Sequence, residues 1–195
     1  MLVLIGRSCT GKDTIKNILV KEYGMERTVT CTSRPPRDGE IDGVDYHFMK
    51  SGYFTEVHDL FAETTGYQVA SGETWLYGSL KKDYKDSDNK VIILNPDGLK
   101  AVRQKGIPIF AVEISSPDNI IKGRQLHRGD DPEEAARRFD QDILDFVSID
   151  KYTDTCVINW GEDGPERCAR NIYDLYQHWL AKRGEGDVED NVRRD

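Results

Sequence analysis

The sequence predicts an α/β fold: a P-loop three-layer sandwich on a parallel core sheet, with a small mixed β insert. Three observations carry that expectation. Short continuous apolar runs, Leu2-Val3-Leu4-Ile5, Val91-Ile92-Ile93-Leu94 and the stretch 108–114, alternate with segments whose apolar residues recur at helical spacing. Strands read as unbroken apolar runs when helices cover both faces of a parallel sheet. A glycine-rich loop joins the first of these strands to the first helix. Finally, the stretch 45–77 alternates only weakly and carries Tyr46, Phe48, Phe61, Tyr67, Trp75 and Tyr77, a pattern for a smaller mixed or antiparallel sheet.

Residues 2–5 form the first strand and 12–23 the first helix, with Ile15, Ile18, Leu19 and Val20 at helical spacing. Between them lies Gly6-Arg7-Ser8-Cys9-Thr10-Gly11-Lys12-Asp13-Thr14. The spacing G-x-x-x-x-G-K is complete, and strand–loop–helix is the context a phosphate loop requires. Glycine at both ends lets backbone N–H groups turn inward around an anion. The helix N-terminus adds partial positive charge at the same point. Gly6, Ser8, Gly11, Lys12, Asp13 and Thr14 are thus candidate contacts to a donor nucleotide, with Lys12 facing the β- and γ-phosphates. The motif has Ser or Thr after the lysine, to hold Mg²⁺; this chain has Asp13. Asp13 either caps the helix and meets its dipole, or takes the metal-side role itself. Thr14, one residue later, is turned by about 100° around the helix.

Residues 29–33 make a short β-like run, and prolines and glycines break the chain over 34–48. A short helix is expected near 51–58. Beyond the insert, strands at 91–94, 108–114 and 156–159 alternate with helices at 96–105, 118–128 and 165–182. Gly129-Asp130-Asp131-Pro132 interrupts the chain, and Pro132-Glu133-Glu134 opens another helix, with proline in the first turn and acids at its positive end. The expected division is a core of 1–33 and 86–182, an insert of 34–85, and a tail at 183–195 with too few apolar residues to fold.

The bulk numbers narrow the function. A net charge of −8, from 35 acidic and 27 basic residues, argues against polymeric nucleic acid as a partner. A small nucleotide stays compatible, because clustered arginines hold phosphates against the overall sign. No apolar run approaches the roughly 20 residues of a membrane span, and the apolar start is too short for a signal peptide. The expected setting is the cytoplasm, with no membrane partner. The four cysteines show no paired spacing, so free thiols are expected rather than disulfides or zinc.

Arg34 and Arg37 lie three apart around two prolines that stiffen the loop. Two guanidiniums can fork onto one phosphate, with Tyr46 and Tyr77 adding phenolic donors. An exposed turn with solvated arginines reads the same way. The longer string separates the two readings. Thr32-Ser33-Arg34-Pro35-Pro36-Arg37-Asp38-Gly39-Glu40-Ile41-Asp42-Gly43-Val44-Asp45-Tyr46-His47-Phe48 closely resembles the guanylate kinase signature, T-[TS]-R-x-P-R-x-G-E-x-[ND]-G-x-D-Y-x-F. The resemblance covers most of 1–180 and is strongest in 1–48 and at Leu76-Tyr77-Gly78-Ser79.

That resemblance implies a P-loop nucleoside monophosphate kinase with a helical lid at 122–138, transferring the γ-phosphate of ATP to GMP with Mg²⁺. It makes Arg34, Arg37, Tyr46 and Tyr77 ligands of the GMP phosphate. It makes Glu63 the acceptor for the guanine N1–H and amine, with Thr30 and Ser79 as hydroxyls near the base. An ordinary outward residue of an alternating strand is the other reading of Glu63. Glu40 is expected to brace the motif. Arg124, Arg128 and Arg138 match lid arginines that close over ATP, Arg128 and Arg138 joining Lys12 as catalytic candidates. Arg137 is expected to point elsewhere and pair with Glu133 or Glu134. Three departures stand out: Asp13, a long interval from Glu63 to Tyr77, and Asn95 where the family often has aspartate, with Asp97 as a substitute. Two alternatives stay open, a monophosphate kinase of another purine or deoxy preference and a non-catalytic guanylate kinase-like binding module. The oligomeric state is not legible.

Overall fold

The computed structural model describes residues 1–69, 72–129 and 131–192, with side chains through residue 185. Its core sheet is parallel throughout. Strands β1 (Leu2–Ile5), β2 (Glu26–Arg27), β7 (Lys90–Ile93), β8 (Phe110–Ser115) and β9 (Thr155–Ile158) lie in the order β2-β7-β1-β8-β9. Side chains alternate across a strand, so β1 feeds both faces. Leu2 and Leu4 pack with Ile15 and Leu19 of α1 (Lys12–Tyr23) and with Ile172 and Tyr176 of α6 (Gly164–Val192). Val3 and Ile5 pack the other way, with Leu99 and Val102 of α3 (Pro96–Gln104) and with Ile149. Burial on both faces is why the strands read as unbroken apolar runs.

The second sheet is smaller. Strands β3 (Cys31–Thr32), β4 (His47–Phe48), β5 (Phe61–Gln68) and β6 (Thr74–Leu80) lie in the order β4-β3-β6-β5. It is mixed: β3 runs parallel to β4 and antiparallel to β6, which pairs antiparallel with β5. Its core is Cys31, Phe54 of α2 (Ser51–Glu56) and Phe61, the two phenyl rings stacked at 4.9 Å. Gly78 belongs there for a steric reason: a Cβ would stand 2.7 Å from the Phe61 ring and 2.9 Å from the Glu63 carbonyl. Helices α4 (Asp118–Arg128) and α5 (Pro132–Asp145) follow β8. Gly129 ends α4 at φ 77, and the Asp131 carboxylate caps α5 by accepting from Glu134 N at 2.9 Å.

Two boundaries differ from the sequence expectation. Cys31–Thr32 pairs with Gly78 and Tyr77, so this run belongs to the second sheet and the chain leaves the core before residue 31 rather than at 34. The last helix continues to Val192 instead of stopping near Lys182, and the remainder of the expected tail, 193–195, lies outside the described residues. Arg183 extends that helix by bonding both oxygens of Asp88, at 2.7 and 2.6 Å, with its guanidinium 5.0 Å from the Trp179 ring centre. All four cysteines are free thiols.

The ends of β1, β8 and β9 meet beneath the glycine-rich loop. Asn159 follows β9, is fully buried, and donates from its amide to the Thr10 carbonyl at 2.8 Å. Gly11 has φ 95, and a Cβ there would overlap the Asn159 amide nitrogen. Gly24 has φ 67 but nothing within 4 Å of its Cβ position. Gly24→Ala should therefore lose only the backbone preference, roughly 1–2 kcal/mol, and Gly11→Ala distinctly more. Urea melts of the two variants compare the costs; equal losses would mean that Asn159 moves aside freely.

Candidate active site

The loop between β1 and α1 closes on itself through polar contacts. Gly6 follows β1, where a Cβ would overlap the Ile114 carbonyl of β8. Cys9 takes φ 60, and Thr10 Oγ1 donates to the Arg7 carbonyl at 2.9 Å. Lys12 Nζ reaches back to the carbonyls of Gly6 and Arg7 at 2.6 and 2.8 Å. Burial lowers the Lys12 pKa below the usual lysine range, while Asp13 and Asp142 oppose that shift. The Ser8 N–H donates to Asp142 Oδ2 of α5 at 2.5 Å. Gly11 caps α1 and offers no side-chain bond to its N-terminus.

Across from the loop, the 34–48 segment is braced by its own acids. Glu40 takes Arg34 in two parallel bonds of 2.8 Å and also accepts from the Arg37 backbone N–H at 2.7 Å. Arg34 holds the Glu40 carboxyl below its ordinary range. Asp42 accepts from Phe48 N and Asp45 from Ile41 N. Arg34 is buried, its guanidinium 5.3 Å from the Tyr46 ring centre and 5.7 Å from that of Phe48. The Tyr46 and Tyr77 rings meet edge to face at 6.2 Å.

Glu63 is buried on β5. Ser79 Oγ donates to its Oε1 at 2.7 Å and lies 2.8 Å from the Tyr84 hydroxyl. The serine has one hydrogen and gives it to Glu63, so Tyr84 donates to Ser79. Oε2 of Glu63 faces the first turn of α3, where a Cβ on Gly98 would stand 3.0 Å away. Burial pushes the Glu63 pKa up to about 7, against the Ser79 bonds and Lys105. Asn95 has both ends of its amide committed: Oδ1 accepts from Gly98 N at 2.8 Å, and Nδ2 donates to Thr65 Oγ1 at 2.6 Å. It ties α3 to β5.

Parts of all these elements line one cleft of about 620 Å³. Gly6, Ser8 and Lys12 of the loop share it with Thr30, Arg37, Tyr46, Glu63 and Tyr77. Arg137, Arg138 and Asp142 of α5 close the side. Phosphate loop, arginine–tyrosine segment and buried glutamate thus face a common space.

The guanylate kinase family model matches residues 1–142. The guanylate kinase of Lactobacillus acidophilus is 31% identical over 168 residues, 82% of this chain and 80% of that one. That of Caulobacter vibrioides is 28% identical over 190 residues, 94% and 86% of the two chains.

The chain belongs to the guanylate kinase family.

A solved guanylate kinase from Anaplasma phagocytophilum shares the fold, with a TM-score of 0.67 at 19% identity, over 91% of this chain and 84% of that one.

Several residues that the guanylate kinase resemblance singles out stand away from the cleft lining. Arg34 and Ser79 sit behind it, bonded to Glu40 and Glu63. Gly11, Asp13 and Thr14 lie at the start of α1, and the Asp13 carboxylate, mostly exposed, bonds Lys16 at 3.0 Å. It sits in the first turn of α1, where its charge meets the helix dipole, and no cap bond is made there. Arg124 donates to the Cys9 carbonyl at 3.1 Å, and with Arg128 it lines a separate cavity along α4. Arg137 pairs with Glu134 but does not point elsewhere: it lines the cleft and donates to the Tyr67 hydroxyl at 3.1 Å, because the β5–β6 hairpin reaches across to α5. Sequence reasoning missed Asp142, Tyr84, Asn159 and the Tyr67 contact. Only Asn159 carried a signal, as the polar end of an apolar strand.

A raised carboxyl pKa means the folded chain holds a proton that the unfolded chain releases. The Glu63 contribution to stability is therefore full below about 4.5 and lost as pH rises through about 7. Glu63→Gln should abolish this slope, worth up to roughly 3 kcal/mol. Urea melts of the ligand-free proteins on either side of that window test it; identical slopes would mean that Glu63 titrates normally.

Proposed function

We propose that this cleft transfers the γ-phosphate of ATP to GMP, giving ADP and GDP. The observation that carries the reading is that Lys12 and the phosphate loop line the same cleft as Arg37, Tyr46, Tyr77 and Glu63. The acceptor is already an anion, so no general base is needed; positioning and charge neutralisation supply the rate. Lys12, released from the loop carbonyls, meets the β- and γ-phosphates. Arg37 and the two tyrosines hold the GMP phosphate. Arg34, spent on Glu40, adds its charge from behind the Tyr46 ring. Ionised Glu63, oriented by Ser79, accepts from the two adjacent donors of guanine, and adenine lacks that pair. Thr30 adds a hydroxyl on the base side.

Arg138, on the cleft wall, with Arg124 and Arg128 of the preceding helix, neutralises the transferring group when the 122–138 lid closes and excludes water. The donor set suits Mg²⁺, which takes one or two carboxylates together with substrate phosphates and keeps several waters. Asp13, next to Lys12 and mostly exposed, would hold it after leaving its surface pair with Lys16. When bound, the metal would supply charge neutralisation at the phosphates. Among the described residues no helix is long and apolar enough to cross a membrane. With four free thiols, that supports a cytoplasmic setting.

A second reading keeps the chemistry and changes the acceptor. The long β5–β6 hairpin brings Tyr67, Gln68 and Trp75 to the cleft, where they can favour another purine or a deoxyribose. A coupled assay across nucleoside monophosphates decides between the two. GMP should turn over fastest; a preference for another base, or no turnover at all, would overturn the reading.

Arg37→Ala should weaken GMP binding by roughly 1.5–3 kcal/mol and guanosine hardly at all. Equal losses in calorimetry would refute a phosphate role. Guanosine has no titrating phosphate, so its affinity isolates Glu63. It should fall as pH drops through about 7, because the protonated carboxyl loses an acceptor; a flat profile would remove Glu63 from base recognition.

A further inference from the structure

Helix α5 carries an acid that the reaction above leaves unused. Asp142 Oδ2 accepts from the Ser8 N–H at 2.5 Å. Burial raises the Asp142 pKa above the usual carboxylate range, and the Ser8 N–H, the Lys12 ammonium and the Arg7 guanidinium oppose that shift. A backbone N–H of the glycine loop together with its lysine is what a phosphate oxygen seeks there. One N–H cannot serve the carboxylate and a donor phosphate at full strength together. The inference rests on the donor reading of the loop.

The helix itself is lightly held. None of its side chains from Pro132 to Asp145 is fully buried. Its described ties to the rest of the chain are few: Asp142 to Ser8, Arg137 to the Tyr67 hydroxyl, Gln125 to the Ala135 carbonyl at 3.4 Å, and the Phe139 ring under the Arg7 guanidinium at 5.4 Å and the Lys122 ammonium at 4.7 Å. Gly129, at φ 77, ends the helix before it. Removing the Ser8 contact takes away the hydrogen bond to the loop and leaves the Arg7–Phe139 stacking and the tie to the second sheet.

We propose that Asp142 is an internal occupant of the phosphate loop, seated on the Ser8 N–H beside Lys12, which the donor's phosphates must displace. Donor binding is thereby coupled to the position of α5. That helix also carries Arg137 and Arg138, both gripped by Glu134. Entry of the phosphates frees α5 to swing with its arginines, and loss of the donor lets Asp142 return and close the empty loop.

Calorimetry without Mg²⁺ tests this, with ADP and inorganic tripolyphosphate as probes and GMP as the control. Asp142→Ala should tighten both polyphosphates about ten-fold, the scale of a charge-assisted bond, and leave GMP unchanged. Asp142→Asn, which keeps the volume and loses the charge, should tighten them less. It carries the test should the alanine variant melt early. Unchanged polyphosphate affinity would overturn the latch while leaving the donor site intact. Weaker affinity would overturn it too, making Asp142 a ligand of the donor rather than its competitor. Failure of the unaltered chain and both variants to bind either polyphosphate would overturn the donor-site reading, and the latch with it.

Discussion

The close approach of the glycine loop to the strand ends beneath it is the constraint on which the rest depends. Gly6 lies against the Ile114 carbonyl and Gly11 against the Asn159 amide. With no Cβ at either point, the loop rests on the ends of β8 and β9. Asn159 secures it by donating to Thr10, and Ser116 Oγ donates to the Asn159 carbonyl at 2.7 Å. A parallel sheet places all its carboxyl ends on one edge, and that edge is where α/β folds collect their ligands. The loop, the first turn of α3 and the lid helices all spring from it. Glu63 and Arg37 are carried there from outside by the second sheet.

The ligand-free chain already satisfies its own charges. Glu40 holds Arg34, Glu134 holds Arg137 and Arg138, and the Ser8 N–H holds Asp142. Lys12 rests on two loop carbonyls, and Glu63 sits between Ser79 and the start of α3. Buried polar groups without partners are costly, so an empty cleft needs such stand-ins. Some of them are braces: the Arg34–Glu40 pair shapes the 34–48 segment whether or not a ligand is there. Others are competitors, because the same donors are wanted by phosphate. The distinction is local, set by whether a group faces the cleft or stands behind it.

Most of the fold was legible because the central strands β1, β7 and β8 are buried on both faces and helices α1, α3 and α6 bury one. Strands β1, β7 and β9 fall within a residue or two of where apolar runs place them. The exceptions have physical causes. Cys31 and Thr32 looked like a core strand, but their partners lie more than forty residues away in β6, and pairing at that range leaves no local mark. The end of the last helix was set too early because Arg183 pairs with Asp88, a contact no window of sequence contains. In the site, the phosphate loop and the Arg34–Phe48 string were legible as motifs whose residues sit side by side. Asp142 was not: it is one acid among several on α5, and only the fold brings it to Ser8. Asn95, suspected of being a weakened ligand, proved to have both ends of its amide committed to Gly98 and Thr65.

The proposed function requires two anion sites of different origin in one cleft, one built on the loop and one on the second sheet. Titrating ADP and GMP separately into the Lys12→Ala variant tests it most directly. The lysine touches only its own loop, through Gly6 and Arg7. ADP affinity should collapse while GMP binds as it does to the unaltered chain. Loss of both nucleotides together, with the fold intact by circular dichroism, would contradict two separate sites.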